Sequence, residues 1–248
     1  NLEFSGRDRK VISVTSCTPN EGKTSVSFQL ALSVAEGGKR VVLVDADLRK
    51  SVLKGRYKTN ASRYGLSHYL SGQASIQDIT CRTNIENFFV IFSGPVPPNP
   101  SELLGNDAFR LLLEYLRNEY DYVIVDTPPL GSVIDGAVAA QYCDGTVVVI
   151  ESGAISYKFA QKVKEQLEKV DCRILGVILN KVNMSGKGYY GAYYGKYYGK
   201  YYGKYYGGNE EGGLHSAVVQ KGLKPVKAEA GREWLWFERA RRQGCGKG

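Results

Sequence analysis

Six short runs of β-branched and aliphatic residues do most to restrict what this chain can become: residues 11–15, 41–44, 88–92, 122–125, 146–150 and 174–179. Each is nearly continuous in hydrophobicity rather than alternating, as expected of parallel strands covered on both faces. Between them lie stretches with helical period, at residues 24–36, 100–117, 133–142 and 156–170, and Gly37-Gly38 is a natural stop for the first. Strand–helix repetition over residues 1–185 predicts a doubly wound, mostly parallel α/β sheet. Ligands in such sheets bind beyond the carboxyl ends of the strands, so the loops that follow strands are where chemistry is expected.

The loop after the first strand reads Ser16-Cys17-Thr18-Pro19-Asn20-Glu21-Gly22-Lys23-Thr24. A nucleotide loop has Gly, four residues, then Gly-Lys-Ser/Thr between a strand and a helix. Gly22, Lys23 and Thr24 match, while Cys17 stands where the first Gly belongs. Gly-Lys-Thr alone is a weak signal, but a strand ending at residue 15 and a helix starting near Thr24 make it a strong one. Backbone N–H groups over Thr18, Pro19, Asn20, Glu21, Gly22 and the helix start at Ser25 form the candidate phosphate cradle, proline supplying shape rather than a donor. Lys23 would reach the β/γ oxygens and Thr24 would ligate Mg²⁺. The fold class this implies is that of the P-loop NTPases.

Two more strand ends carry carboxylates. Asp45 and Asp47 lie two residues apart after residues 41–44, so on extended chain they point to one face. Unpaired they would repel, and a nearby cation is the economical explanation. Residues 122–125 close on Asp126, the usual place of a second Mg²⁺ contact in P-loop enzymes. Asn180, after residues 174–179, is either a contact for the nucleotide base or a turn former.

Composition changes near Met184. Residues 189–207 read YYGAYYGKYYGKYYGKYYG and hold ten of the eighteen tyrosines. Glycine at every fourth position and no aliphatic side chain larger than alanine leave this segment unable to build a core, so it is expected to be an exposed tail. Residues 208–248 are rich in Gly, Lys and Arg with one apolar patch, Trp234-Leu235-Trp236-Phe237, and are expected to be disordered apart from at most one short helix. The formal charge of +8 also divides here: residues 1–188 hold 22 Lys and Arg against 20 Asp and Glu. The body is therefore close to neutral, which argues against a nucleic-acid partner. Five widely spaced cysteines without a Cys-x-x-Cys pair fit a reducing compartment. No apolar run approaches the roughly 18 residues of a membrane span, and no basic-then-apolar leader is visible.

With the loop TPNEGKT, the strand end VVLVDADLRK, the strand end YDYVIVDTPP, the stretch GPVPPNPSELL at residues 94–104 and the tyrosine-pair tail, the sequence resembles the bacterial protein-tyrosine kinases of the capsule and exopolysaccharide type, the BY-kinases. The resemblance spans about residues 4–207. It implies an ATP- and Mg²⁺-dependent phosphotransferase, with Lys23 as the loop lysine, Thr24 and Asp126 at the metal, and Asp45 and Asp47 sharing metal binding and general-base work. It implies a kinase domain over residues 1–185 and a phospho-acceptor tail over 186–207, followed by an extension over 208–248 that matches nothing in the family. The acceptors would be Tyr189, Tyr190, Tyr193, Tyr194, Tyr197, Tyr198, Tyr201, Tyr202, Tyr205 and Tyr206, phosphorylated between subunits of a homo-oligomer. Further implied are a membrane-embedded activator (separate or as a fused N-terminal membrane region), a cognate tyrosine phosphatase, and a cytoplasmic position at the inner face of the plasma membrane. Three departures stand out: Cys17 for a glycine of the generic loop, Asn20 for a glycine common before Glu-Gly-Lys, and Ser51 where a proline often follows the second motif. The family's Glu-x-x-Arg-x-x-Arg assembly helix would lie just before Asn1, so the chain is expected to be N-terminally truncated.

Two other readings compete. A partitioning or division-site ATPase would carry a signature lysine five residues before Lys23, where this chain has Thr18. A non-enzymatic nucleotide-binding scaffold with an adhesive Tyr/Gly tail would show no phosphoryl transfer at all. The eukaryotic kinase signatures His-Arg-Asp, Asp-Phe-Gly and Val-Ala-Ile-Lys are missing.

Overall fold

The computed structural model describes residues 10–53 and 63–182. The tyrosine tail, the 208–248 extension and the basic residues Lys54, Arg56 and Lys58 lie outside the described residues. Along the chain run β1 (Val11–Ser16), α1 (Lys23–Glu36), β2 (Val41–Asp45), α2 (Leu66–Leu70), α3 (Ile76–Ile79), β3 (Thr80–Arg82) and β4 (Phe88–Ile91). There follow α4 (Pro100–Leu104), α5 (Asp107–Glu119), β5 (Tyr122–Asp126), α6 (Asp135–Ala140), β6 (Gly145–Glu151), α7 (Tyr157–Lys169) and β7 (Ile174–Asn180).

The strands form one seven-stranded sheet in the order β3-β4-β2-β5-β1-β6-β7, and every pairing is parallel except β3 with β4. Period-two geometry explains why the central runs are apolar throughout: successive side chains serve opposite layers. In β2, Val42 and Val44 join a core with Phe109, Leu112, Leu113 and Leu116 of α5. Val41 and Leu43 face the other way, into a core with Phe28, Ala31 and Leu32 of α1. A third cluster sets Val163 and Leu167 of α7 against Val148 of β6, and Cys17 and Leu130 belong to it.

The doubly wound, mostly parallel sheet is as expected, with three local differences. The single helix expected over 100–117 is two helices, because Gly105 and Asn106 interrupt it and the Asn106 side chain accepts from the Phe109 N–H at 3.0 Å, starting α5 afresh. β7 is an edge strand rather than one covered on both faces, and Val177 stays 59% exposed. The short elements α2, α3 and antiparallel β3 are too brief to leave a periodic signal. Among the described residues no helix is long and apolar enough to cross a membrane.

Candidate functional site

Strand order decides which side chains meet. β1 lies between β5 and β6, and β2 pairs on the far side of β5, so the loop after β1 opens where the connections diverge. Register then places Asp45 opposite Asp126 at the carboxyl ends of β2 and β5, with Val14 opposite Asp126 on the other side.

The loop ends in Gly22, which caps α1 in the left-handed region at φ 95°. No side chain caps that helix, so its first-turn N–H groups remain available to an anion, and the helix dipole favours one there. Lys23 follows immediately. Its Nζ lies 3.2 Å from Asp47 Oδ2, 3.8 Å from Asp126 Oδ2 and 3.4 Å from Thr24 Oγ1. All five groups predicted to do chemistry therefore share one buried cluster: Lys23, Thr24, Asp45, Asp47 and Asp126 are each at most 9% exposed.

Burial shapes the electrostatics. The Asp45 carboxyl is pushed up to about 7, first by burial and then by the Asp126 charge, with Ser51 and Lys23 opposing and Asp47 reinforcing. Burial also raises Asp126, against the pull of Lys23, Thr24 and Ser27. Asp45 Oδ2 accepts from Ser51 Oγ at 2.5 Å, while its buried Oδ1 has no hydrogen-bond partner. An acidic cluster with an orphaned oxygen and a raised pKa is short of positive charge, which suits a divalent cation. No group of three or more His, Cys, Asp or Glu forms a ready-made metal cage among the described residues. Mg²⁺ is commonly held by one or two carboxylates, with water and phosphate filling its shell, and the carboxylates of this cluster are oxygen ligands of that kind.

The departures from the generic loop have physical explanations. The Cys17 side chain is fully buried in the core beneath the loop, and its backbone is not among the positive-φ residues, so glycine's freedom is unnecessary there. Burial and the nearby Glu21 charge push its thiol up to about 11, away from reactivity. Asn20 does adopt φ 68°, a left-handed conformation that asparagine and glycine tolerate best. Pro19 and Asn20 form the exposed crest of the loop, with Thr18 and Ser25 half-buried on either side. Asn180 closes β7, and its amide donates to the Glu21 carbonyl at 2.8 Å, on the inner side of the loop.

Several contributors escape a motif search. Ser27, one helical turn after Lys23, has its hydroxyl 2.9 Å from the Lys23 carbonyl and 3.1 Å from Asp126 Oδ1, and its one proton is shared between these two acceptors. Its spacing of four residues from the loop lysine was the available signal. Ser51, the residue standing in place of a proline, ties down Asp45. Arg49 reaches Asp135 at 2.6 Å, and Asp135 also accepts from Ser101 at 2.5 Å, joining the turn after β2 to α4 and α6. No local pattern relates those three residues.

A family model described as an AAA domain matches residues 9–177. Over 185 residues the chain is 46% identical to Tyrosine-protein kinase CpsD of Streptococcus agalactiae, covering 75% of this chain and 81% of that protein. The kinase domain of Escherichia coli tyrosine kinase ETK superposes with a TM-score of 0.70 at 36% identity, over 74% of this chain and 72% of that one. The septum site-determining protein MinD of Pyrococcus horikoshii, solved with Mg-ADP, gives a TM-score of 0.61 at 25% identity, over 73% and 72% of the two chains. The lysine, the threonine and the three aspartates converge on a P-loop fold in a chain this similar to named tyrosine kinases, and the protein belongs to the bacterial tyrosine-protein kinases.

Proposed function

We propose that this kinase uses ATP and Mg²⁺ to phosphorylate the tyrosine cluster at residues 189–206 on neighbouring copies of itself, in the control of capsular or exopolysaccharide synthesis and export. The observation that carries the reading is the Lys23 ammonium, held 3.2 Å from Asp47 and 3.8 Å from Asp126 at the mouth of an anion-binding helix. Phosphoryl transfer asks chiefly for positioning and charge stabilisation, and these groups supply both. Loop amides and the α1 N-terminus bind the phosphates, and Lys23 neutralises charge on the β/γ oxygens. Thr24, Asp126 and one of the pair Asp45 and Asp47 would hold Mg²⁺, which when bound adds a second positive centre against the phosphates. The other aspartate accepts the proton of the attacking tyrosine hydroxyl, whose reference pKa is about 10. Either carboxylate of the pair can take that part: Asp45 stands at about 7 in the metal-free protein, a value that a bound cation would lower.

The kinase domain is taken as residues 1–185, with the acceptor tail over 186–207. Some 20 tail residues can span up to roughly 70 Å, enough to reach a neighbouring subunit's site. Each phosphate adds about −1.5 to −2 charge, so heavy modification reverses the sign of a tail that carries Lys196, Lys200 and Lys204. A membrane-embedded activator, a homo-oligomer, a cognate phosphatase and a position at the inner membrane face complete the proposal. The test is intact-protein mass after incubation with Mg-ATP, with the activator's cytoplasmic segment supplied. Gains of about 80 Da per phosphate, absent from Lys23→Met and from a chain ending before Tyr189, are expected. Bound ATP with no mass gain under those conditions would turn the assignment towards a nucleotide-dependent switch or scaffold.

A further inference from the structure

The loop that would hold the triphosphate contains a buried negative charge of its own. Glu21 is 1% exposed. One carboxylate oxygen, Oε1, accepts from the Thr18 N–H and from Thr18 Oγ1, the latter at 2.8 Å. The other, Oε2, accepts from the Glu151 N–H at 2.8 Å. The Glu21 main-chain carbonyl in turn accepts from Asn180 Nδ2 at 2.8 Å, and the Asn180 carbonyl accepts from the Ser152 N–H at 2.9 Å. Glu151 and Asn180 are register partners at the ends of β6 and β7. A single loop residue is thus fastened by side chain and main chain to two facing positions on adjacent strands.

Electrostatically the arrangement works against phosphate, because a carboxylate beneath an anion-binding loop repels the ligand. Its value has to lie in shape. Within three residues the loop passes through two left-handed conformations, Asn20 at φ 68° and Gly22 at φ 95°. Asparagine and glycine tolerate those conformations, but a free chain would visit others as well, so a fixed loop shape needs holding from outside. The Glu21–Thr18 bonds close the loop across three residues, and the Glu151 and Asn180 bonds hold that closed unit against the sheet. Packing at Gly22 is equally tight: a Cβ there would lie 2.2 Å from Asn180 Nδ2.

We infer that Glu21 and Asn180 are positioning residues, which clamp the phosphate-binding loop to the ends of β6 and β7. The inference rests on the nucleotide site proposed above. It carries a sign that distinguishes it from simple electrostatics. Glu21→Gln removes the opposing charge, yet an amide cannot accept from Thr18 and from Glu151 through both its ends, so one anchor is lost.

The experiment measures Mg-ATP, Mg-ADP and Mg-GTP binding to the full chain by fluorescence titration, alongside thermal unfolding without nucleotide. Losing one or two hydrogen bonds sets the scale at about three- to tenfold in affinity. Glu21→Gln is expected to weaken all three nucleotides by that factor, whereas tighter binding would overturn the inference. Asn180→Ala is expected to weaken all three nucleotides as well, because the loop loses its main-chain anchor. A collapse of the ATP-to-GTP preference with phosphate affinity retained would assign Asn180 to the base and refute the clamp. Thr18→Ser keeps the hydroxyl and should bind as the wild type does, while Thr18→Val should follow Glu21→Gln. Equal effects of serine and valine, or affinity losses matched only by a fall in the nucleotide-free melting temperature, would mean a general stability role instead. A wild-type chain that binds none of the three nucleotides would remove the underlying site assignment, a failure readily told apart from loss of the clamp.

Discussion

Replacing Asp45 with asparagine should remove much of a pH dependence that the wild-type site builds into the metal-free protein. The Asp45 carboxyl lies at about 7 in the fold, against an ordinary value of 3.8, because it is buried beside Asp126. A carboxyl raised on folding favours the native state while it is protonated in both states, at low pH. Its penalty grows as pH climbs past the unfolded value and is complete only above the folded one. A gap of about three pH units, at about 1.4 kcal/mol each, sets a ceiling of about 4 kcal/mol. Less than half of it has accrued by about pH 5, so between about pH 5 and pH 8 the site costs the wild type about 2 to 3 kcal/mol.

Asparagine keeps the local bonds while removing the charge. Its carbonyl can still accept from Ser51, and its NH₂ can donate towards the Asp126 carboxylate, which the Asp45 charge would otherwise repel. At about 2–4 °C per kcal/mol for a chain of this size, the wild-type melting temperature should fall by about 5–10 °C more than that of Asp45→Asn between those pH values. Thermal unfolding by circular dichroism in EDTA, without nucleotide, reads this directly. Mg²⁺ with ADP at about pH 8 should lift the wild type more than the variant, since the cation offsets the charge that asparagine lacks. Parallel pH curves for the two proteins in EDTA would refute the reasoning, because they would mean Asp45 carries no penalty.

Three other substitutions probe the scaffold that presents the site. Gly131→Ala would place a Cβ 2.4 Å from the Cys17 carbonyl oxygen and 2.5 Å from the Phe159 ring, so a loss of about 1–3 kcal/mol with weakened nucleotide binding is expected from melting and titration. Asp135→Ala takes the acceptor from the Ser101 hydroxyl and the carboxylate from a guanidinium that is 43% exposed and keeps its bond to Ser101 Oγ; after allowance for solvent at Arg49, a cost of about 1–2 kcal/mol in urea unfolding is expected. Burial raises the Asp135 carboxyl, but the Arg49 and Ser101 bonds outweigh it and leave it low, so its contribution is present above the ordinary range and lost in acid as pH falls through the lowered value. The penalty of Asp135→Ala should therefore shrink at low pH. Asn106→Ala removes the α5 cap and should cost about 1 kcal/mol, with hydrogen exchange rising at the first turn of that helix.

The parts of this protein that can be read from the chain are those where sequence-local physics decides the outcome. Apolar runs name the central strands because both faces of each are covered, and Gly-Lys-Thr between strand and helix names the loop because phosphate binding needs that geometry locally. Lys23, Asp45 and Asp126 are legible for the same reason: each stands at the end of a strand or the start of a helix that its own neighbours specify. What could not be read depends on strand order. That Asp45 faces Asp126 follows from β2 pairing with β5, a contact between residues 81 positions apart. Arg49, Ser101 and Asp135 meet only because α4 and α6 pack at the same end of the sheet, and nothing in their spacing records it.

Asn180 shows where the boundary falls. From the chain alone it could be a base contact or a turn former, since an asparagine after a strand serves both. The fold introduces a third role, because the β6–β7 register puts Asn180 beside Glu151 and both within reach of Glu21. Three residues that look like a loop carboxylate, a strand terminus and a turn become one device for fixing the loop's left-handed turns. The same logic accounts for the buried Glu21. Judged by charge it is a poor neighbour for phosphate, yet a carboxylate can accept from two or more donors at once, as a lone amide carbonyl at that point could not without leaving its NH₂ facing a donor. A phosphate loop lacking its generic glycine at residue 17 therefore gains its shape from the sheet as well as from its one glycine, Gly22.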